Sequence, residues 1–166
     1  MALSPEPTGK PKPPSKGRRQ RSASRFYAVQ ALFQMEASET PLNEVEAEFE
    51  THRIGAEADG IAWVEADRAH FRKLLRASIE NQARIDQIAD RALVAKWPLG
   101  RIDPTLRAVF RAAGAEFIAF DTPPKVAITE FVEVAKAFFP DGKEPKFVNA
   151  VLDHMAREAR PESFKG

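Results

Sequence analysis

From Ser22 onward, apolar residues return at intervals of three and four, the period of a helix with one buried face. Phe26, Val29, Leu32 and Phe33 form the first stripe, with Ser22 or Ser24 available as N-cap. The helix should fade near Ser38, ahead of Thr40-Pro41, because a residue preceding proline avoids the helical region. Leu42, Val45 and Phe49 predict a short helix over 42–53, followed by a loop from Gly55 to Gly60. Residues 61–95 read as helical with two stripes. Phe71, Leu74, Leu75, Ser78 and Ile79 make the first, and Ile85, Ile88, Ala89, Ala92 and Leu93 the second. The stripes are out of phase, so a break is expected near Asn81, and Trp97-Pro98-Leu99-Gly100 stops the run.

Asp103-Pro104 pairs an N-capping carboxylate with proline at the first helical position, opening a helix whose face is Leu106, Phe110, Ala113 and Phe117. After Asp121-Thr122-Pro123-Pro124, the next helix carries two stripes, Ala127, Phe131, Val134, Phe138 and Ile128, Val132, Ala135, Phe139. Such a helix is expected to be central and buried. Pro140-Asp141-Gly142 turns the chain into a last helix over about 145–160, with Phe147, Val148, Val151, Leu152 and Met155 inward. No segment shows sustained two-residue alternation, so no sheet is expected. The pattern predicts an all-α bundle of about seven helices, or two small bundles sharing a central helix.

Composition narrows the class. With 166 residues, 43% of them hydrophobic, the chain suits one globular domain, 21–166, behind a basic tail, 1–20. Proline, lysine, serine and glycine dominate that tail, which should be disordered. The absence of cysteine excludes disulfides, thiolate metal sites and cysteine nucleophiles. No apolar run approaches the ~18 residues of a membrane span, and no signal-like segment opens the chain, so a soluble cytoplasmic protein is expected. The net charge of +1 hides an asymmetry: residues 1–25 carry seven cations against the single Glu6. A basic arm on a mildly acidic body points to a polyanion, most often nucleic acid.

Catalytic chemistry is not evident. His52, His70 and His154 lack partners at metal-ligand spacing, and the chain has no G-x-S-x-G, P-loop or G-x-G-x-x-G pattern. No enzyme, cofactor or metal is expected. Glu130 and Glu133, on the largely apolar helix after Pro124, should form structural pairs with residues such as Lys136 or Arg111. Arg18, Arg19, Arg21 and Arg25 lie just before or within the first helical turn, where the helix dipole disfavours cations. An external anion such as phosphate would compensate, since guanidinium matches it bidentately. Gln30 could read a base edge, and Phe33 could stack on a base or pack in the core.

RSASRFYAVQALFQ (21–34), PPKVAITEFVEVAKAF (123–138) and KFVNAVLDHMA (146–156), with a looser match at LRAVFRAAGAEF (106–117), together resemble the NusB family of transcription antitermination factors. Thr129 and Ala150 stand where the family usually has asparagine and glycine. The resemblance implies an all-α fold of two antiparallel three-helix sub-bundles. It also implies binding of boxA RNA together with NusE, a small-subunit ribosomal protein, within an RNA polymerase antitermination complex. Some relatives form homodimers. By position, the RNA-facing set would be Arg18, Arg19, Arg21, Arg25, Gln30, Phe33, Lys125, Lys146 and Phe147. The NusE-facing set would lie near Asp103, Arg107, Arg111 and Glu116. A helical protein-interaction module without direct RNA contact is the alternative.

Overall fold

The computed structural model describes residues 15–58, 61–62, 64–93 and 102–165. The expected stop at Trp97–Gly100 and the first fourteen residues of the expected tail lie outside them. Among the described residues there are seven α-helices: α1 Lys16–Ser38, α2 Leu42–Glu48, α3 Arg68–Glu80, α4 Gln82–Leu93, α5 Pro104–Ala119, α6 Pro124–Phe138 and α7 Glu144–Ala159. None of the described helices is long and apolar enough to cross a membrane.

Helix α1 begins six residues earlier than the apolar stripe suggests. Ser15 is its N-cap, accepting the Arg18 N–H at 3.2 Å, so Lys16–Gln20 are helical rather than tail. The buried stripe is also rotated from the predicted one: Tyr27, Ala28, Val29, Ala31 and Leu32 face inward, while Phe33 is 40% exposed. At the other end Glu39 takes the left-handed conformation, φ 52°, and reverses the chain. Helix α2 runs on into a π-helical turn, Phe49–Arg53.

The expected loop and the start of the next helix are different. Glu57–Ala58 (β1) and Ile61–Ala62 (β2) form a small antiparallel ladder, pairing Glu57 with Ala62 and Ala58 with Ile61. Helix α3 then starts only at Arg68, where Asp67 caps the His70 N–H at 3.0 Å. Asn81 separates α3 from α4, and Asp103 with Pro104 opens α5, both where the sequence places them.

Helix α5 is the centre of the molecule. It packs against α1 and α3 on one side and α4, α6 and α7 on the other, so it belongs to both bundles. The doubly striped α6 is instead peripheral, exposing Lys125, Val126, Thr129, Glu133 and Lys136. The reason is side-chain size. Ala108, Ala112, Ala113, Gly114 and Ala115 let neighbouring helices approach α5 closely from several directions, which the larger residues of α6 do not. At Gly114 a Cβ would stand 2.5 Å from Ile85 Cγ2 of α4. Phe49, Phe71, Phe110, Phe117 and Phe131 fill the core, each worth roughly 1.5–3 kcal/mol of burial.

Candidate nucleic-acid interface

The cap at Ser15 fixes three of the predicted cations on a helix. Arg18, Arg19 and Arg21 occupy its first two turns and are exposed. Beside them runs the N-terminal half of α6. Ser22 Oγ donates to Glu130 Oε2 at 2.8 Å, and Arg18 Nε stands 4.0 Å from Glu130 Oε1. Arg18, Lys125, Val126, Thr129 and Glu130 line the cleft between the two helices.

Further along the α1–α6 seam, Phe26 stacks on Phe138 with centroids 5.0 Å apart and planes 10° from parallel. A second groove opens there, lined by Gln30, Phe33, Gln34, Arg53, Thr105 and Phe138. Gln30 Oε1 is buried and has no hydrogen-bond partner. Gln30 as a whole is half-buried, and the enclosed oxygen left without a partner costs about 1–3 kcal/mol. At the far end of α6, Lys136, Lys143 and Lys146 surround a third concavity with Pro140, Gly142 and Pro145. The exposed edge of α6 thus joins an Arg18–Lys125 cleft, an aromatic and amide groove, and a lysine cluster. Phe147 is half-buried and meets Phe110 edge-on at 6.2 Å, a core contact rather than a free stacking face.

Arg25 stands apart from the other arginines. It is 4% exposed, and its Nε donates to both Glu116 oxygens at 2.9 and 3.1 Å. Its Nη1 also lies 3.6 Å from Glu130. Glu116 is fully buried and receives His70 Nε2 at 3.3 Å; His70 Nδ1 lies 2.5 Å from Ser24 Oγ. Burial alone would push the Glu116 carboxyl up. The His70 hydrogen bond and the Arg25 charge outweigh it and hold the group below the usual carboxylate range. So Arg25 leaves the exposed RNA set and Glu116 leaves the partner surface, because each neutralises the other inside the protein. Because α1 begins at Lys16, Arg25 lies in its third turn rather than at the helix start, and the anion that compensates it is internal. The signal was in the spacing: Arg25, Ala28, Val29 and Leu32 share one helical face, so Arg25 belongs to the buried stripe.

The remaining partner candidates are held by other groups. Asp103 Oδ1 accepts the Thr105 N–H at 2.7 Å as the N-cap of α5. Arg107 grips both Glu36 oxygens at 2.7 Å. Arg111 grips both Asp86 oxygens at 3.0 Å and reaches Glu36 at 3.4 Å. Asp103 is exposed, while Arg107 and Arg111 are half-buried clasps joining α1, α4 and α5. Glu133 pairs with Lys136 at 3.0 Å, as its spacing suggests, whereas Glu130 joins α1. No group of three metal-ligating side chains occurs among the described residues.

Two helical bundles around one shared helix, with cations and aromatic groups along a seam, define an all-α scaffold that displays a basic strip. The NusB family profile matches residues 22–157, and the chain belongs to the NusB family. It is 45% identical to the transcription antitermination protein NusB of Agrobacterium fabrum, covering 93% of this chain and 94% of that protein. Crystalline NusB of T. maritima superposes with a TM-score of 0.67 at 31% identity, over 88% of this chain and 97% of that one. A similar fold, TM-score 0.66 at 22% identity, covers 84% of this chain and 98% of a chain in the crystal structure of antitermination factors NusB and NusE in complex with dsRNA.

Proposed function

We propose that this protein is an RNA-binding transcription antitermination factor. It acts in the cytoplasm, as a binding factor rather than an enzyme. Its ligand is boxA-type single-stranded RNA of ribosomal RNA operons. Its partners are the small-subunit ribosomal protein NusE and, through the assembled complex, RNA polymerase. Family membership and the antitermination proteins it is similar to support this reading. The observation that carries it for this chain is the line of exposed cations: Arg18, Arg19 and Arg21 on α1, Lys125 on α6 and Lys146 on α7. One RNA-presenting domain, the expected 21–166 extended back to Lys16 by the start of α1, stands behind the remaining basic tail.

Phosphates meet the arginines and lysines, which sets affinity and register without reading sequence. Bases freed from stacking meet Phe33 and the Gln30 amide, which reads an edge. The partner protein docks on the side where α5 begins, near Asp103 and the Arg107–Glu36 clasp.

The test is a fluorescence anisotropy titration of a boxA-type single-stranded RNA. Replacing Arg18, Arg19 and Arg21 together by alanine should weaken binding at least about tenfold, roughly 1.4 kcal/mol or more. The melting temperature should barely move, since these side chains are exposed. Unchanged affinity in that variant would remove the arginine strip as the RNA site. Light scattering with and without NusE and the RNA tests the partner assignment: a ternary complex is expected, and separate species would refute it.

A further inference from the structure

The cleft between α1 and α6 already contains an anion, supplied by the protein itself. Three groups converge on Glu130: the Ser22 hydroxyl at 2.8 Å, Arg25 Nη1 at 3.6 Å and Arg18 Nε at 4.0 Å. Lys125 lines the same cleft. A hydroxyl donor, two guanidinium groups and an ammonium are the set that would be chosen for a phosphodiester.

The grips on this carboxylate are unequal. Arg25 has Glu116 as its main partner through two hydrogen bonds, so it does not depend on Glu130. The Arg18 side chain is 64% exposed and sits at the outer limit of ion-pair distance. Glu130 itself is only 13% exposed and pinned by Ser22. Arg18 can leave; Glu130 stays.

We propose that Glu130 is a built-in substitute for an RNA phosphate, occupying Arg18 in the free protein and restraining the affinity of the strip. The inference rests on the RNA-binding reading above. When a strand arrives, Arg18 turns from the carboxylate to the phosphodiester, and the negative charge of Glu130 remains beside the backbone and opposes it. A lone phosphate cannot offset that opposition. A strand that engages Arg19, Arg21 and the α6 lysines at the same time can. The carboxylate therefore acts as a threshold that favours a continuous strand over scattered anions. The other carboxylate on the exposed side of α6, Glu133, is committed to Lys136 and has no such role.

The experiment uses the full chain and a labelled single-stranded boxA-type RNA of about twelve nucleotides, within the usual site size of such proteins. In E130Q the amide oxygen still accepts the Ser22 hydroxyl, and Arg25 keeps Glu116. Affinity should rise about fivefold, the scale of one released exposed charge pair. The slope of log K against log salt should steepen by about 0.7, one further phosphate on a single strand. E80Q, which removes the same charge from the exposed end of α3, should bind as the wild type does. Relative to R18A, the gain in R18A/E130Q should be smaller than that of E130Q alone, because only the opposition of Glu130 to the backbone is then removed; an undiminished gain would overturn the Arg18 part of the inference. A second arm needs no change at Glu130: R18A should lose less affinity than R21A, because its loss also relieves the Glu130 pair. Wild-type binding that E130Q leaves equal or weaker, or an R18A loss as large as that of R21A, overturns the inference and leaves the RNA reading standing. Absence of RNA binding by both wild type and E130Q overturns the RNA reading and the inference with it.

Discussion

Arg25 and Arg21 lie one helical turn apart and have opposite fates. Arg21 projects into solvent, whereas Arg25 enters the core and meets Glu116 across 91 residues of sequence. Removing one member of a buried pair strands the other charge, at a cost of about 3–5 kcal/mol. Arg25→Ala should therefore lower the urea midpoint severely, and any RNA-binding loss in it should track unfolding. Arg21→Ala should leave the midpoint unchanged and weaken RNA directly; a normal urea midpoint in Arg25→Ala would refute the burial argument. Acid acts on the same residues. Glu116 and Glu36 both sit below the ordinary carboxylate value when folded. At Glu116 the His70 hydrogen bond and the Arg25 charge overcome burial, and at Glu36 the hydrogen bond from Arg107 leads. A depressed folded value contributes stability above the unfolded value, about 4.3, and loses it as the pH falls through the folded value. The urea midpoint should accordingly drop below about pH 4.3, and a midpoint equal at pH 5 and pH 3 would contradict it.

At the scale of the element, α5 gives the sharpest test. Glycine inside a helix ordinarily costs about 1 kcal/mol relative to alanine, so Gly114→Ala would stabilise an isolated helix. Here the added methyl would press on Ile85 Cγ2, a branched side chain with little room to turn. Overpacking costs about 1–3 kcal/mol, so the substitution should lower the melting temperature despite the better propensity. A rise would show that α4 and α5 are less tightly packed than described. Asp103→Ala, which removes the cap on Thr105, should cost about 1 kcal/mol.

The elements legible in the sequence were those whose signals are local. The Asp103-Pro104 start needed only neighbouring residues, and the Asn81 break only the phase of the two apolar stripes on either side of it. The start of α1 was hidden because Gly17-Arg18-Arg19-Gln20 carries no apolar residue to show a period, and Ser15 sits in a proline-rich stretch. The central helix was misassigned to α6 because apolar circumference says nothing of how many neighbours a helix can admit; small side chains decide that. The exposed cations of the site were readable as charge. The Arg25–Glu116 pair was not, because its two halves meet only through tertiary packing.

Across the whole molecule, the shared α5 ties the cationic seam to both bundles, so the strip is carried on a rigid frame. If four of its exposed cations neutralise phosphates, log K for the RNA should fall with log salt at a slope of about −3, and a slope near zero would exclude backbone contacts. The cap at Ser15 has a thermodynamic corollary. Because Arg18, Arg19 and Arg21 stand on a turn already wound before any strand arrives, their segment need not fold during association. Calorimetry across temperature should then report only the modest heat-capacity decrement of surface contact, without the large one that accompanies coupled folding.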